Sequence, residues 1–190
     1  MTIKLVGIVG AGTMGNGIAQ ACAVAGIDAL LLDVNPAALE KGVAAISSSL
    51  DRLVKKEKIT AEVKAAAMAR VKTTSTLTDL AACDYVIEAA TENEALKIKI
   101  LRDLDAALKP ETIIATNTSS ISITQLAAAT KRPDRFVGMH FFNPVPMMVL
   151  VELIRGLATS DATIATAQEL ARALGKTPIT VKNSPGFVVN

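Results

Sequence analysis

The stretch GIVGAGTMG at positions 7–15 restricts the fold of this chain more than any other part of the sequence. It follows a short apolar run and precedes a segment with helical character, so its glycines lie where a strand turns into a helix. Gly10 permits a tight turn, Gly12 lets the backbone come close to a pyrophosphate, and Gly15 lets the helix pack against the strand. The unpaired N–H groups at the start of such a helix attract an anion. The stretch therefore predicts a dinucleotide-binding turn, with contacts from Gly10, Ala11, Gly12, Thr13, Met14 and Gly15.

A carboxylate at the end of the second apolar run indicates which dinucleotide is bound. The run ALLLDV at 29–34 places Asp33 eighteen residues after Gly15. At this place a carboxylate accepts hydrogen bonds from the adenosine ribose hydroxyls, and its charge repels a 2′-phosphate. No arginine follows it in VNPAALEK at 34–41. We therefore expect NAD, rather than NADP, as the cofactor.

Apolar runs alternate with helical segments along the rest of the chain. Strands that are buried on both faces and separated by helices are typical of an α/β sheet with parallel strands. With the glycine turn, this alternation predicts a Rossmann-type, mostly parallel sheet flanked by helices, with a helical hairpin after the second strand. We expect a single domain over 1–190. The strand candidates are 3–9, 29–34, 84–90, 112–117, 135–141, 148–154 and 178–183, and the helix candidates are 13–25, 36–58, 61–70, 93–108 and 161–174, with shorter helices near Leu77 and Ile123.

Composition and charge exclude several classes of protein. The chain has 20 basic and 18 acidic residues, a net charge of +2 and no long basic block, so nucleic acid is not an expected partner. No uninterrupted apolar stretch reaches the ~18–20 residues that cross a bilayer, so a membrane is not expected either. Cys22 and Cys83 are far apart in Ala-rich surroundings. We expect them to be reduced, buried thiols of a cytoplasmic protein that has no metal site.

The one histidine of the chain, His140, lies between apolar segments. Taken alone, such a residue is more often a hydrogen-bonded core histidine than a catalytic group. Twelve positions later, however, Glu152 occupies the apolar run MVLVELI, where a buried carboxylate needs a hydrogen-bonded partner. The short, proline-stiffened loop FNPVP joins the two strands. We therefore expect a His–Glu pair in which the carboxylate fixes the imidazole tautomer and the other ring nitrogen faces a substrate.

Such a pair beside a nicotinamide is typical of the active site of an alcohol or hydroxy-acid dehydrogenase. Five motifs along the chain agree with this reaction class: GAGTMG, EAATENEALK, TNTSS, GMHFFNPV with the following VELI, and SPGFVVN. In order and spacing they resemble the NAD-binding domain of the L-3-hydroxyacyl-CoA dehydrogenase family over essentially the whole chain. The resemblance implies NAD-dependent oxidation of (S)-3-hydroxyacyl-CoA, with a short-chain substrate such as 3-hydroxybutyryl-CoA, and the reverse reduction of acetoacetyl-CoA.

The resemblance also implies roles at the reacting carbon. His140 corresponds to the catalytic base and Glu152 to its orienting partner. Ser119 and Asn190 correspond to catalytic groups that contact substrate or cofactor. Ser119 also follows the strand candidate TIIATN at its carboxyl end, where open α/β sheets bind ligands. Without the resemblance, a helix N-cap or a loop hydroxyl remains an alternative for Ser119.

Further roles concern the two long ligands. The resemblance places Glu92 and Lys97 near the ribose and nicotinamide side of NAD, although the two could equally form an exposed charged pair at a helix start. It places the coenzyme A contacts at Ser49, Lys56, Ser119 and Asn143. Ser49 and Lys56 are seven residues apart and share a helix face. The basic cluster of Lys55, Lys56 and Lys58 suits phosphate groups, with a solvated helix end as the alternative.

Members of this family continue beyond the last motif into an all-helical domain that forms the dimer and covers the substrate cleft, whereas this chain stops at Asn190. From the resemblance we expect the C-terminal all-helical domain to be absent here and the full-length protein to be a homodimer through it. The fragment is then expected to bind NAD but to turn over poorly.

Two other classes of protein share the glycine turn and Asp33. One is a non-catalytic, redox-sensing or structural NAD-binding domain, which needs no buried His–Glu pair. The other is a lysine-dependent β-hydroxyacid dehydrogenase, which acts on free acids and does not respond to coenzyme A. Activity with acetoacetyl-CoA separates both from the expected enzyme.

Overall fold

An eight-stranded sheet forms the centre of the molecule. The computed structural model describes residues 3–182. The strands lie in the order β3-β2-β1-β4-β5-β6-β7-β8, and every neighbouring pair is parallel except β6 and β7. Chain order reverses between β1 and β4, and open α/β sheets bind ligands beyond the strand ends at such a point. The strands are β1 Leu5–Val9, β2 Asp28–Leu32, β3 Val71–Thr74, β4 Tyr85–Glu88, β5 Ile113–Thr116, β6 Phe136–Phe141, β7 Leu150–Arg155 and β8 Thr177–Lys182.

The predicted helices are also confirmed, with small changes in their bounds. The helical hairpin after β2 consists of α2 and α3, and Asn35 caps α2 by accepting a hydrogen bond from the N–H of Ala37 at 3.0 Å. This helix ends three residues before its predicted end, and Glu57 just beyond it has a φ of 54°. The helices are α1 Thr13–Val24, α2 Pro36–Lys55, α3 Ala61–Arg70, α4 Glu94–Ala107, α5 Ile123–Ala127 and α6 Asp161–Ala173, with 3₁₀ turns at Leu77–Ala82 and Pro133–Arg135.

Strand β3 was not predicted from the sequence. Its residues, VKTT, lie at the edge of the sheet and pair only with β2, and none of them is fully buried. An edge strand needs no continuous apolar run, because one side of it faces solvent. The apolar pattern that revealed the other strands is therefore absent here.

Each face of the sheet has its own apolar core. Ile8 and Ile87 pack on one face, under α1, α2 and α6, whereas Val9 and Val86 pack on the other, under α4 and α5. Successive side chains of a strand point to opposite faces, so neighbouring residues of one strand enter different cores. Strands β4, β5 and β6 are buried along their whole length. This packing fixes their carboxyl ends, which carry the candidate site.

The two cysteines are unpaired and buried, as the sequence predicted. Burial raises the pKa of the Cys22 thiol and of the Cys83 thiol to about 12. Thiols with so high a pKa stay protonated and unreactive at neutral pH.

Within residues 3–182 no helix is both long and apolar enough to cross a membrane.

Candidate active site

The glycine turn joins β1 to α1 beyond the carboxyl end of β1. Gly10 has a φ of 99°, and a Cβ there would lie 2.7 Å from the Cα of Ala90. A Cβ on Gly15 would lie 1.7 Å from the carbonyl oxygen of Gly10. Neither position accepts a side chain. A Cβ on Gly12, by contrast, would meet no heavy atom within 4 Å, so the backbone there borders open space.

The first turn of α1 has no side-chain cap. Gly12 is the N-cap and contributes no side-chain hydrogen bond, whereas Asn35, Thr60, Asn93, Ser122 and Ser160 each accept one at the start of another helix. The free first-turn N–H groups of a helix need an external acceptor. An anion beside Gly12 would satisfy them, and the helix dipole favours it there.

Asp33 connects the end of β2 to the glycine turn. Its Oδ2 accepts a hydrogen bond from the N–H of Ala11, and its Oδ1 accepts one from the N–H of Asn35, both at 2.9 Å. A carboxylate oxygen has two lone pairs, so each oxygen can accept one further bond. The carboxylate is thus held rigidly beside the turn and keeps acceptor capacity for two hydroxyl groups.

His140 and Glu152 lie opposite each other on β6 and β7, at paired positions of the antiparallel ladder. The Nδ1 atom of His140 is 2.8 Å from the Oε2 atom of Glu152. Glu152 is completely buried, and His140 is 6% exposed. The imidazole also packs on Phe142, with ring centroids 4.5 Å apart. Because an ionised carboxylate only accepts, this contact places the imidazole proton on Nδ1 and makes Nε2 the basic nitrogen.

Asn117 holds the end of β6 from the neighbouring strand. Its Oδ1 accepts a hydrogen bond from the N–H of Phe141 at 2.9 Å, and Phe141 is the residue after His140. Asn117 follows β5 directly, inside the motif TNTSS. Asn117 is not among the site residues predicted from the sequence. Its position at a strand end, next to Ser119, was a signal that could have identified it.

Glu92 and Ser119 meet across the ends of β4 and β5. One oxygen of the Glu92 carboxylate accepts a hydrogen bond from the N–H of Ser119 at 2.8 Å, and the other accepts one from the hydroxyl of Thr118 at 2.8 Å. The Ser119 hydroxyl is 3.4 Å from the same carboxylate. The structure therefore brings together two residues that the sequence analysis assigned separately to the ligand side of the sheet.

Lys97 does not pair with Glu92. Its ammonium group binds the carboxylate of Glu88, and both side chains are almost fully buried. The same carboxylate accepts a hydrogen bond from the Thr116 hydroxyl at 2.7 Å and one from the N–H of Ala90 at 2.9 Å. The alternative of an exposed Glu92–Lys97 pair is therefore wrong. Glu88 is not among the site residues predicted from the sequence, because it lies inside the strand candidate 84–90.

Glu92 and Lys97 nevertheless line the same small recess. It has a volume of about 150 Å³ and lies between the glycine turn and the ends of β4 and β5. Met14 forms its wall on the α1 side, and Asn117 forms its wall on the β5 side. Residues assigned to the dinucleotide from distant parts of the sequence thus border one space.

The three residues assigned only to coenzyme A share a larger cavity. Ser49, Lys56 and Asn143 all line a space of about 400 Å³ between α1, the end of α2 and the β6–β7 loop. Ser119, also assigned to coenzyme A, does not line it. Of the basic cluster that the sequence indicated, Lys56 borders the cavity but Lys55 and Lys58 do not.

Arg52 also lines this cavity and was missed in the sequence analysis. It lies three residues after Ser49 and four before Lys56, so the three share one face of α2 and its end. That spacing was a usable signal. Asn190, the remaining catalytic candidate, lies outside the described residues.

Comparison with known proteins identifies the family. The model of the family "3-hydroxyacyl-CoA dehydrogenase, NAD binding domain" matches residues 5–184. The chain belongs to the 3-hydroxyacyl-CoA dehydrogenase family. It is 53% identical to a 3-hydroxybutyryl-CoA dehydrogenase of Bradyrhizobium diazoefficiens, over 99% of this chain and 64% of that protein. The crystal structure of (S)-3-hydroxybutyryl-CoA dehydrogenase from Ralstonia eutropha superposes with a TM-score of 0.98 at 64% identity, covering 100% of this chain and 67% of that one.

The same domain occurs within longer members of the family. The chain is 46% identical to the fatty acid oxidation complex subunit alpha of Acinetobacter baylyi, over 96% of this chain and 26% of that protein. It therefore spans just under two thirds of the Bradyrhizobium relative and about a quarter of the Acinetobacter one.

NAD, the cofactor of this family, fits the residues at the turn. A Cβ at Gly10 or Gly15 would collide with backbone atoms of the protein, so the tight turn requires glycine at both positions. The backbone at Gly12, by contrast, is open to a ligand. The uncapped start of α1 suits a pyrophosphate, and the rigid Asp33 carboxylate suits the ribose hydroxyls. The residues thus match both charged and polar parts of the dinucleotide.

Proposed function

We propose that this chain carries out the NAD-dependent oxidation of short-chain (S)-3-hydroxyacyl-CoA, such as 3-hydroxybutyryl-CoA, and the reverse reduction of acetoacetyl-CoA. The buried contact of His140 with Glu152 is the observation that carries the proposal, because it provides an oriented base at the ligand-binding end of the sheet. The names of the relatives support the substrate class.

His140 acts as the general base on the 3-hydroxyl group. Glu152 holds the proton on Nδ1, so Nε2 takes the hydroxyl proton and the positive charge that results is stabilised by the carboxylate. In the reverse direction the protonated imidazole returns this proton to the oxygen. When bound, NAD supplies the hydride acceptor. General acid–base help of this kind contributes about 10²- to 10⁴-fold to the rate.

Ser119 and Glu92 form the polar rim of the same site. The Glu92 carboxylate fixes the backbone of Ser119 and so positions the Ser119 hydroxyl after β5. In our proposal this hydroxyl contacts the substrate or the nicotinamide side of the cofactor. Lys97 holds the carboxylate of Glu88 in place. That carboxylate accepts a hydrogen bond from the N–H of Ala90, which lies on the wall of the recess. Asn190 is proposed as a further catalytic contact.

The coenzyme A portion of the substrate occupies the 400 Å³ cavity. Lys56 and the newly assigned Arg52 supply positive charge at its α2 end, where the phosphates bind. Asn143 lines the same cavity and lies three residues after His140. In our proposal the substrate runs from the phosphate end of the cavity past Asn143 to the reacting carbon.

We further propose that residues 1–190 are a single NAD-binding domain of a cytoplasmic, homodimeric enzyme whose dimer contacts lie in an all-helical domain. Free, buried cysteines are in keeping with a reducing compartment. Met147 and Val149, on the loop that borders the cavity, are 65% and 62% exposed. Exposed apolar side chains beside a ligand cavity suit a surface that another domain covers.

The test is the loss of NADH absorbance with acetoacetyl-CoA. It compares the 190-residue chain with a longer chain that continues into the helical domain of the family. We expect fast turnover from the longer chain and slow turnover from the shorter one, although both bind NAD. Absence of turnover in both would contradict the proposed function.

Free acetoacetate separates the alternatives in the same assay. A lysine-dependent β-hydroxyacid dehydrogenase would turn over a free acid, and an NAD sensor would turn over neither substrate. The proposed enzyme responds to the thioester alone.

A further inference from the structure

Gln20 is a buried polar side chain with no partner in the part of the chain that the structure describes. It lies on α1, is 2% exposed, and forms no side-chain hydrogen bond within residues 3–182. No fully enclosed side-chain nitrogen or oxygen in this range lacks a partner. The amide of Gln20 must therefore reach open space. Gln20 borders the 400 Å³ cavity and also a smaller neighbouring space of about 270 Å³ on the side of Lys176.

The cavity is narrow at this place. Gly17 lies one helical turn before Gln20, and a Cβ on Gly17 would be 2.9 Å from the Cβ of Val145 on the opposite wall. Apolar side chains of Leu53 and Pro146 line, like Gln20, both this cavity and the smaller neighbouring space. A ligand amide that enters this lining would supply the hydrogen-bond partner that residues 3–182 do not offer to Gln20.

The chemistry of the cavity suits a thin, largely apolar chain that carries amide groups. Lys56 and Arg52 border one part of it, and Asn143, three residues after His140, borders another. The pantetheine arm of coenzyme A joins its phosphates to its thioester and contains two secondary amides. A glutamine amide can donate to the carbonyl of such a group and accept from its N–H.

We infer that Gln20 binds an amide of the pantetheine arm, and thereby distinguishes coenzyme A thioesters from free acids. This inference rests on the proposed function. It adds a substrate contact on the helix whose first turn receives the dinucleotide, so one helix serves both ligands.

The variant Gln20→Met tests the contact because methionine keeps the length and shape of the side chain but has no amide. Loss of one hydrogen bond weakens binding by about 3- to 10-fold. The melting temperature stays equal or rises, since the substitution removes no hydrogen bond within residues 3–182 and adds an apolar group to an apolar lining. A glutamine that only stabilised the fold would show a lower melting temperature instead.

Calorimetric titration of the 190-residue chain, at saturating NAD, measures the affinities of two ligands. Coenzyme A carries the pantetheine arm, and adenosine 3′,5′-bisphosphate lacks it. Gln20→Met is expected to weaken coenzyme A binding and to leave bisphosphate binding unchanged. The matched control is Gln168→Met on α6, where the glutamine donates to the Thr180 hydroxyl at 3.1 Å away from the cavity; it is expected to change neither.

Four results would overturn the inference. Unchanged coenzyme A affinity in Gln20→Met, with normal binding by the unmodified chain, contradicts the Gln20 contact alone. Equal loss of both ligands, or a lower melting temperature, assigns Gln20 a structural role. Absence of coenzyme A binding by the unmodified chain contradicts the proposed function and the inference together.

Discussion

His140 lies directly opposite Glu152 in the antiparallel pair of β6 and β7, with 2.8 Å between Nδ1 and Oε2. The register of two adjacent strands, rather than a flexible loop, sets this distance. Residues paired across a ladder have their Cβ atoms about 4.5–5.5 Å apart, which is within reach of an imidazole and a carboxylate. A one-residue shift of register would move the two side chains to opposite faces.

Glu152→Gln is expected to lower turnover by about 10²- to 10⁴-fold while NAD affinity stays unchanged. The amide can donate to Nδ1 and so stabilise the tautomer in which Nε2 carries the proton and is no longer basic. Steady-state rates with acetoacetyl-CoA and calorimetric titration of NAD measure the two quantities. Normal turnover in Glu152→Gln would show that the carboxylate does not set the tautomer.

The buried pair of Lys97 and Glu88 is expected to show strong coupling in stability. Removing one partner leaves an uncompensated buried charge, which costs about 3–5 kcal/mol. The double variant Glu88→Gln/Lys97→Met should therefore lose less than the sum of the two single variants. Urea unfolding of the four proteins measures this cycle. Additive losses would mean that the two groups act independently.

Lys176 is expected to hold the β6–β7 loop against the cavity. Its ammonium donates to the carbonyls of Val145 and Met148 at 2.5 and 2.8 Å, and desolvation lowers its pKa. Lys176→Met should destabilise the chain by about 1–3 kcal/mol, because two carbonyls lose a donor, and should raise KM for acetoacetyl-CoA. Lys72→Met, at an exposed position of β3, is the matched control. Equal changes of the free energy of unfolding and of KM in the two variants would contradict this role of Lys176.

Both cysteines are expected to resist alkylation in the folded chain. With the pKa of each thiol raised to about 12, the thiolate is almost absent between pH 7 and 9. Iodoacetamide should label both only in urea, as mass spectrometry can show. Because the unfolded thiols ionise near pH 9 and the folded ones do not, the free energy of unfolding should fall as pH rises from about 9 towards 12. Rapid labelling without unfolding would contradict this burial.

The sequence predicted those parts of the structure that depend on local pattern. The glycine turn follows from the spacing of Gly10, Gly12 and Gly15, and the His140–Glu152 pair follows from two apolar strands joined by a short loop. Both use residues of elements that are adjacent along the chain. Their geometry is therefore largely set by strand periodicity and turn length.

Other contacts depend on which helix meets which strand, and the sequence did not predict them. Glu88 reaches Lys97 from a strand that reads as wholly apolar, and its charge is compatible with burial only because α4 brings the ammonium group to it. Gln20 and Arg52 border one cavity because α1, α2 and the β6–β7 loop converge there. The spacing within α2 places Arg52 on the helix face of Ser49 and Lys56, but it does not show that this face meets α1 and the β6–β7 loop.

The most direct test of the account is the turnover of His140→Gln with acetoacetyl-CoA and NADH, measured in the longer chain together with its affinity for NAD. Glutamine is uncharged and polar but cannot accept and return a proton near neutral pH. We predict a fall in turnover of about 10²- to 10⁴-fold with nearly unchanged NAD affinity. Equal losses of turnover and NAD affinity would show that His140 is a structural residue of the core, and the proposed mechanism would be wrong.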